Sequence, residues 1–279
     1  MPLRTVSQIA VNSDLGITHV SQVFKPAVPA ATIAGGWVDT SMSSGTPKYN
    51  AYVGGQLDST AFVGSRNNSI NVGSKSDYLL SAMFQTRSAV VPAYVMILDY
   101  LMFYPLADLD STDIQETAVV DVLPRYQTGV GVQIMPVITL PSTGFTDCTI
   151  VYTNSAGVAN RTTTFRLLQG TTVGSIAASA GLTGGLDTPF VPLANGDSGV
   201  RSIESVVFAT GVGGFACFVL VKPLATVVVP EINTCSEVSF VGNKFSLPRV
   251  FAGANLNFVI KTQVVAASSW LAQLTFIGV

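Results

Sequence analysis

The sequence predicts an all-β protein: two tandem, jelly-roll-like β-sandwich domains related by internal duplication, preceded by an extended N-terminal arm. Short apolar runs alternate with Gly, Pro, Asn and Ser along the whole chain, which is the pattern of many short strands. Helix signals are few. A motif also occurs twice, and a length of 279 residues suits two domains of about 125 residues each.

The duplicated motif is Leu-Pro-Arg, found at residues 123–125 and again at residues 247–249, an offset of 247 − 123 = 124 residues. A Gly and then an apolar run follow each copy, and a second pair of similar segments upstream has the same offset. Similar motifs in the same order indicate two copies of one β unit. We therefore predict one sandwich over residues 46–145 and a second over residues 146–279.

Residues 1–45 are predicted to form the arm, because prolines, a Gly pair and small polar residues interrupt this segment. Three apolar side chains, Val20, Val23 and Phe24, would dock the arm. The sequence leaves two destinations open: the arm packs across its own domain, or it reaches into a neighbouring subunit.

The predicted strands are short apolar or β-branched runs bounded by turn residues. They lie at residues 51–53, 61–63, 78–84, 94–104, 118–123, 130–139, 149–153, 162–168, 202–210, 214–221, 226–229, 237–241, 255–261 and 270–279. The acidic segment 108–117 is predicted to form a loop or one helical turn. Residues 170–185 are predicted to form a long surface loop, and residues 141–147 the junction between the two copies.

Composition narrows the class of protein. Apolar residues make up 48% of the chain and charged residues only 11%, against about 25% in an ordinary soluble domain. Prolines and Asp99 interrupt the most apolar segment, so no spanning helix and no membrane partner are predicted. A formal charge of −2 without a basic cluster disfavours nucleic-acid binding. We expect other subunits to cover the apolar surface that two small β domains leave exposed.

The N-terminus has no apolar signal core, so the sequence predicts no secretion. Cys148, Cys217 and Cys235 are odd in number and widely spaced. They are predicted to be free thiols in a reducing compartment rather than a disulfide framework.

Residues 196–199 (Gly-Asp-Ser-Gly) resemble the nucleophile signature of chymotrypsin-like serine proteases, except that Val200 stands where those enzymes have a further Gly. A serine nucleophile needs a general base, usually a histidine oriented by a carboxylate. The only histidine is His19, in the predicted arm and outside any protease histidine motif. We therefore predict a β-turn at this motif and no enzymatic activity.

No cofactor or metal site is predicted. One His and three scattered Cys do not provide the ligand spacing of a zinc site. The acidic loop from Asp108 to Glu116 has enough carboxylates for calcium, but it lacks the Gly and the ligand spacing of an EF-hand. A solvated loop is the preferred interpretation, and phosphate-binding fingerprints are absent from the sequence.

Arg125 and Arg249 each follow a proline that fixes the local backbone, in a chain with few charges. A repeated arginine in this setting predicts the same role in each copy, either a bidentate pair with a carboxylate or contact with a ligand. Structural pairing is the preferred interpretation. The candidate partners are Glu116 or Asp121 for the first arginine, and Glu231 or Glu237 for the second.

Four stretches resemble a group of uncharacterised virion proteins of tailed bacteriophages. They lie at residues 98–105, 122–126, 192–199 and 220–225, and the resemblance extends over most of the chain beyond the predicted arm. It implies a component of the virus particle, such as a head decoration (cement) protein. The motifs carry no catalytic role, so no functional residue is transferred.

Composition and resemblance together predict a non-enzymatic structural component of a tailed-phage virion, assembled in the host cytoplasm. The expected partners are the major capsid protein and further copies of this chain in a homo-oligomer, with a trimer favoured. The alternative is a tail or baseplate protein, including one that binds a host receptor.

Overall fold

The computed structural model describes residues 18–48, 57–58, 66–67, 76–117, 122–178, 188–241 and 247–278. Regular structure in these ranges is almost entirely β, which confirms the predicted class; the exception is a 3-10 turn at Thr40–Met42. The first nine strands are β1 (Thr18–Val28), β2 (Trp37–Asp39), β3 (Ser44–Thr46), β4 (Leu57–Asp58), β5 (Arg66–Asn67), β6 (Ser76–Thr86), β7 (Ala93–Asp108), β8 (Gln115–Glu116) and β9 (Gln133–Leu140). The others are β10 (Thr146–Asn154), β11 (Arg161–Leu167), β12 (Ser175–Ile176), β13 (Val200–Phe208), β14 (Phe215–Val229), β15 (Ser236–Ser239), β16 (Arg249–Phe251), β17 (Asn255–Thr262) and β18 (Ser268–Gly278).

Most predicted strands are present. The main difference lies at two prolines, where the observed strands continue although the predicted strands end. Phe215–Val229 form one strand, β14, although two strands, at 214–221 and 226–229, were predicted on either side of Pro223. β7 likewise continues through Pro105 to Asp108. The pairing of β7 with β14 shifts register near both prolines, so bulges accommodate residues that cannot donate to the ladder. The predicted strands 51–53 and 61–63, and residues 118–121 of another, lie outside the described residues.

The central sheet closes on itself. β7 pairs with β14, and the order then continues through β9, β12, β2 and β17, which pairs with β7 again. The β7–β14 pair is antiparallel along the full length of both strands, from Asp108 opposite Phe215 to Ala93 opposite Val229. The inside of this ring is filled by buried apolar side chains, among them Tyr100, Phe103, Met135 and Val219.

Two further sheets pack on the ring. We call β15-β6-β18-β1-β3, with β16 beside β6, the first outer sheet, and β11-β10-β13-β8 the second outer sheet. The first packs against the N-terminal half of β7 and the C-terminal half of β14, and Phe84 and Trp270 are its largest buried side chains there. The second packs against the opposite halves, through Tyr152, Phe165 and Phe208 among others. The two longest strands therefore support all three cores.

The strand pairings of the two outer sheets correspond. β18 lies between β6 and β1 in the first sheet, and β10 lies between β13 and β11 in the second. Ala272 pairs with Phe84, and Cys148 pairs with Phe208. The offsets are 272 − 148 = 124 and 208 − 84 = 124, the same spacing as the repeated Leu-Pro-Arg motif.

The sheets do not separate along the predicted domain boundary. The first outer sheet joins β1 and β6 to β15 and β18, and the second joins β8 to β10, β11 and β13. The ring likewise takes strands from both sides of residues 145 and 146. This differs from two side-by-side sandwiches over 46–145 and 146–279, because strands of each half hydrogen-bond mainly to strands of the other half. Residues 141–145 form only a short turn between β9 and β10.

The predicted arm also needs correction over residues 18–45. β1 is a full strand between β18 and β3, and β2 belongs to the ring. Side chains of β1 alternate between exposed and buried, as in a strand with one face on a core. This segment is therefore an integral strand of the first outer sheet rather than an extension from it. Residues 1–17 lie outside the described part of the chain. Within the described ranges, no helix has the length and apolar character needed to cross a membrane.

Candidate interaction surface

The outward face of the first outer sheet carries exposed apolar side chains. Val20 is 51% exposed, Phe24 50% and Leu271 37%. Phe24 lies directly opposite Leu271 on the neighbouring strand, so their side chains form one cross-strand apolar pair. Met83, on β6, extends the face as a partly buried residue next to Gln273. We call these side chains the apolar face.

The equivalent position of the second outer sheet carries charges. Asp147 corresponds to Leu271 (271 − 147 = 124), and its partner across the strands is Arg166. Arg166 Nε donates to Asp147 Oδ1 at 2.9 Å. An ion pair at this position is solvated by water. At the equivalent position of the first outer sheet, Phe24 and Leu271 leave apolar surface exposed. Exposed apolar patches on a folded domain mark interaction sites.

A depression of about 300 Å³ lies beside the apolar face. Its walls are formed by Phe24, Pro26, Gln85, Arg87, Ser269, Trp270 and Leu271. The face is therefore not flat, and an apolar side chain of a partner would fit in the depression beside the Phe24–Leu271 pair.

The three side chains predicted to dock the arm have different roles in the strand. Val20 and Phe24 point outward and belong to the apolar face, whereas Val23 is only 2% exposed and packs in the core of the first outer sheet. The strand period of two residues separates them, because Val20 and Phe24 lie an even number of residues apart and Val23 an odd number from each. The prediction had given one docking role to all three side chains.

Arg125 forms a buried bidentate pair, as predicted, but its carboxylate partner is Asp99, which was not among the predicted partners. Its Nε donates to Asp99 Oδ2 at 2.9 Å and its Nη2 to Asp99 Oδ1 at 2.7 Å. Nη2 also donates to the Tyr100 carbonyl at 3.0 Å, and the Asn255 amide donates to Asp99 Oδ1 at 3.1 Å. Burial raises the pKa of Asp99, and the hydrogen bond from Arg125 opposes that rise.

The predicted partners of Arg125 are elsewhere. Glu116 lies on β8 at the edge of the second outer sheet, and Asp121 is outside the described residues. Asp99 was overlooked because it belongs to an apolar run that reads as an interior strand. Its only sequence signal is a charged residue inside that run.

Arg249 does not repeat the role of Arg125. Its side chain is exposed and its guanidinium lies 4.3 Å from the centre of the Phe251 ring. Among the described residues no carboxylate lies within ion-pair distance of Arg249, so neither Glu231 nor Glu237 is its partner. The reason is visible in the ring: Asn257 on β17 pairs with Leu98, and its counterpart Gln133 on β9 (257 − 133 = 124) pairs with Val221, so the β14 residue that corresponds to Asp99 is the next one, Lys222.

The Gly-Asp-Ser-Gly segment forms a turn held by Asp197. This carboxylate accepts hydrogen bonds from Tyr152 Oη at 2.6 Å, Asn154 Nδ2 at 2.7 Å and Arg161 Nε at 3.0 Å. The hydrogen bonds from Tyr152 and Arg161 are the largest causes that lower the pKa of Asp197, to about 2. Ser198 Oγ lies 2.9 Å from Ser155 Oγ.

The chain's one histidine lies far from that turn in the fold. His19 is on β1 of the first outer sheet, where it stacks on Phe276 at 5.1 Å and its Nε2 lies 3.2 Å from Asp77 Oδ2. Ser198 therefore has a serine partner and no imidazole beside it. The Asp197 contacts explain the conformation of the motif without a catalytic role.

Two buried polar sites were not predicted from the sequence. Asp39 is fully buried in the ring, where it accepts from Tyr100 Oη at 2.7 Å and from the amide and hydroxyl of Ser41 at 2.8 and 2.7 Å. Lys25 is fully buried on β1, and its Nζ donates to the carbonyls of Ser43 at 3.0 Å and Pro47 at 2.7 Å. Burial lowers the pKa of Lys25 to about 8, and Asp39 partly opposes this change. Both sites fix the path of residues 39–47.

The remaining predicted features are the three cysteines and the acidic loop. Cys148 and Cys217 are buried and Cys235 is exposed, all without disulfides. Burial raises the pKa of the Cys148 and Cys217 thiols. In the acidic loop the Asp110 amide donates to Asp108 Oδ1 at 2.9 Å. Over the described ranges, no group of three His, Cys, Asp or Glu side chains is placed to hold a metal ion.

Comparisons with known proteins give no family for this chain. No family model matches, and no curated protein matches. Among solved structures, the VP2 subviral particle of infectious bursal disease virus is 9% identical, with 94% of this chain and 80% of that chain covered, at a TM-score of 0.19. T=1 particles derived from the same virus are 10% identical, with 94% and 78% covered, also at 0.19. TM-scores this low do not show a common fold.

Proposed function

We propose that this protein is a non-enzymatic structural component of a tailed-phage particle, a head decoration (cement) protein that binds its neighbours through the apolar face. The observation that carries the proposal is the Phe24–Leu271 pair, which stands uncovered where the second outer sheet has an ion pair. A structural protein of an assembly needs such a surface, and a soluble monomer does not.

The fold supports this role. Three packed cores share the two long strands β7 and β14, so load applied to one outer sheet passes into the ring. The four stretches that resemble virion proteins include parts of both of these strands, at residues 98–105 and 220–225. The expected partners are the major capsid protein and further copies of this chain, with a trimer favoured.

We also infer that the two halves of the chain are copies of one β unit. The matching order of strands in the outer sheets and the common offset of 124 residues support this inference. In this scheme β6 corresponds to β13, β7 to β14, β9 to β17 and β10 to β18. The copies would then have exchanged strands rather than folded as separate sandwiches, since each outer sheet contains members of both.

The non-enzymatic part of the proposal has a direct test. A fluorophosphonate probe that labels activated serines should not react with Ser198, because that hydroxyl faces Ser155 and has no base. Labelling of the native protein that disappears in Ser198→Ala would contradict the proposal.

The location is tested by cryo-electron microscopy of particles that carry this protein with a gold-binding tag. Regular label on the head supports a decoration role. Label confined to the tail or baseplate would favour the receptor-binding alternative and contradict the decoration assignment.

A further inference from the structure

Two cations lie against a pair of aromatic rings beside the loop that follows Arg125. Tyr126 and Phe251 meet edge to face with ring centres 4.9 Å apart, and Tyr126 Oη donates to the Arg249 carbonyl at 3.3 Å. Lys222 Nζ lies 5.6 Å from the centre of the Tyr126 ring, and the Arg249 guanidinium lies over Phe251. We call Tyr126, Lys222, Arg249 and Phe251 the basic–aromatic cluster.

The cluster carries two positive charges, and the described part of the chain places no carboxylate in an ion pair with either of them. The nearby carboxylate is Asp99, which is fully buried, and its two oxygens are occupied by Arg125 and the Asn255 amide. Over the described residues, neither Lys222 nor Arg249 has an Asp or Glu within ion-pair distance. The whole chain has a net charge of −2, so two such cations at one site make the local charge opposite in sign to the net charge.

Lys222 is held in place rather than left free in solvent. Its Nζ donates to the Val130 carbonyl at 2.9 Å, and partial burial lowers its pKa. Gly131, at φ +70°, makes this approach available, because a Cβ there would overlap Nζ. A fixed ammonium beside a ring pair loses little side-chain entropy when it binds an anion.

The two Leu-Pro-Arg motifs show what is missing. In the first, Arg125 receives its carboxylate from Asp99 on β7. In the second, the arginine is retained, but the position on β14 that corresponds to Asp99 is Lys222, so β14 supplies a second cation there instead of an acid. Among the described residues, the first motif therefore has its carboxylate within the subunit and the second has none.

We propose that the basic–aromatic cluster binds a carboxylate of a partner protein, so that an Asp or Glu from outside supplies to Arg249 what Asp99 supplies to Arg125. The forked guanidinium suits a carboxylate, and the partly exposed Phe251 and Tyr126 rings suit the carbons beside it. A polyanion such as nucleic acid fits less well, because it would need more cations than two. This inference stands whether or not the protein decorates a phage head.

The test uses the intact protein and a rhodamine-labelled peptide of ten glutamates as probe, with binding followed by fluorescence anisotropy at low salt. Arg249→Gln and Lys222→Gln should each weaken binding about fivefold, which is the effect of losing one exposed charge pair. The double variant should bind the peptide more weakly than either single variant. Lys48→Gln, which removes an exposed cation outside both the cluster and the apolar face, is the matched control and should leave binding unchanged.

Arg249 is exposed and Lys222 partly so, and near-UV circular dichroism would verify that each variant is folded. The proposal is overturned if Lys48→Gln weakens binding as much as Lys222→Gln or Arg249→Gln, since the peptide would then sense only total charge. It is also overturned if a labelled decamer of single-stranded DNA binds more tightly than the peptide and depends on the same two residues.

Discussion

The buried pair of Arg125 with Asp99 allows the sharpest stability prediction. Arg125→Met removes the cation and leaves the fully buried Asp99 with the Asn255 amide as its one remaining donor among the described residues. Removing one partner of a buried pair costs about 3–5 kcal/mol of the free energy of unfolding, because the remaining charge stays desolvated. Arg249→Met is the matched control from the second copy of the motif, and its cost should stay within about 0.5 kcal/mol because that side chain is exposed.

A second substitution separates charge burial from lost packing. In the double variant Arg125→Met with Asp99→Val, both members of the pair become apolar, so neither is left as an unpaired charge in the core. The double variant should recover most of the stability lost by Arg125→Met, since replacing a whole buried pair by apolar residues is often nearly neutral. Urea unfolding at pH 7, followed by tryptophan fluorescence, measures all four proteins.

The reasoning would be refuted by either of two results. One is a loss for Arg125→Met no larger than the loss for Arg249→Met. The other is a double variant as unstable as Arg125→Met, which would mean that packing rather than the unpaired Asp99 determines the cost.

Two further predictions concern pH. Lys25 has a folded-state pKa of about 8 against 10.5 unfolded, so the unfolded chain binds its proton more tightly and stability should rise between about pH 8 and 10.5, by up to about 3 kcal/mol. Lys25→Met should lose this rise in urea titrations, and an unchanged pH profile would contradict the burial. Asp197 has a folded-state pKa of about 2 against 3.8, so its contribution is present above pH 4 and is lost as the pH falls through 2. Asp197→Asn should flatten this acid limb in thermal unfolding, whereas a limb identical to that of the native protein would show that Tyr152 and Arg161 do not act through the carboxylate.

Local pattern was enough to predict most of the longer strands. Residues of β10 and β11 alternate and flank a turn, and they form the expected hairpin. Local pattern could not predict which strands pair with each other, because many of the paired strands lie more than a hundred residues apart in the chain. β1 shows this best: its prolines and the Gly pair after it indicate an arm, yet β18 supplies a partner along its length and buries Val23.

The candidate site was predicted in the same partial way. Val20 and Phe24 were identified as docking residues from their apolar character alone, and the structure places both on an exposed face. Leu271 was assigned to a closing strand, and nothing local marks it as the neighbour of Phe24. The Arg125 partner was missed because Asp99 lies in an apolar strand, where sequence alone cannot show which buried acid a distant arginine reaches.

The apolar face is tested most directly by exchanging its central pair for the pair found in the second outer sheet. Phe24→Arg with Leu271→Asp copies Arg166 and Asp147 onto the equivalent register, so the sheet should fold unchanged. Burying about half of one Phe and part of one Leu is worth about 3 kcal/mol, so binding to heads assembled without the protein should weaken about a hundredfold in co-sedimentation. Native affinity in this folded double variant would contradict the claim that other subunits cover this face.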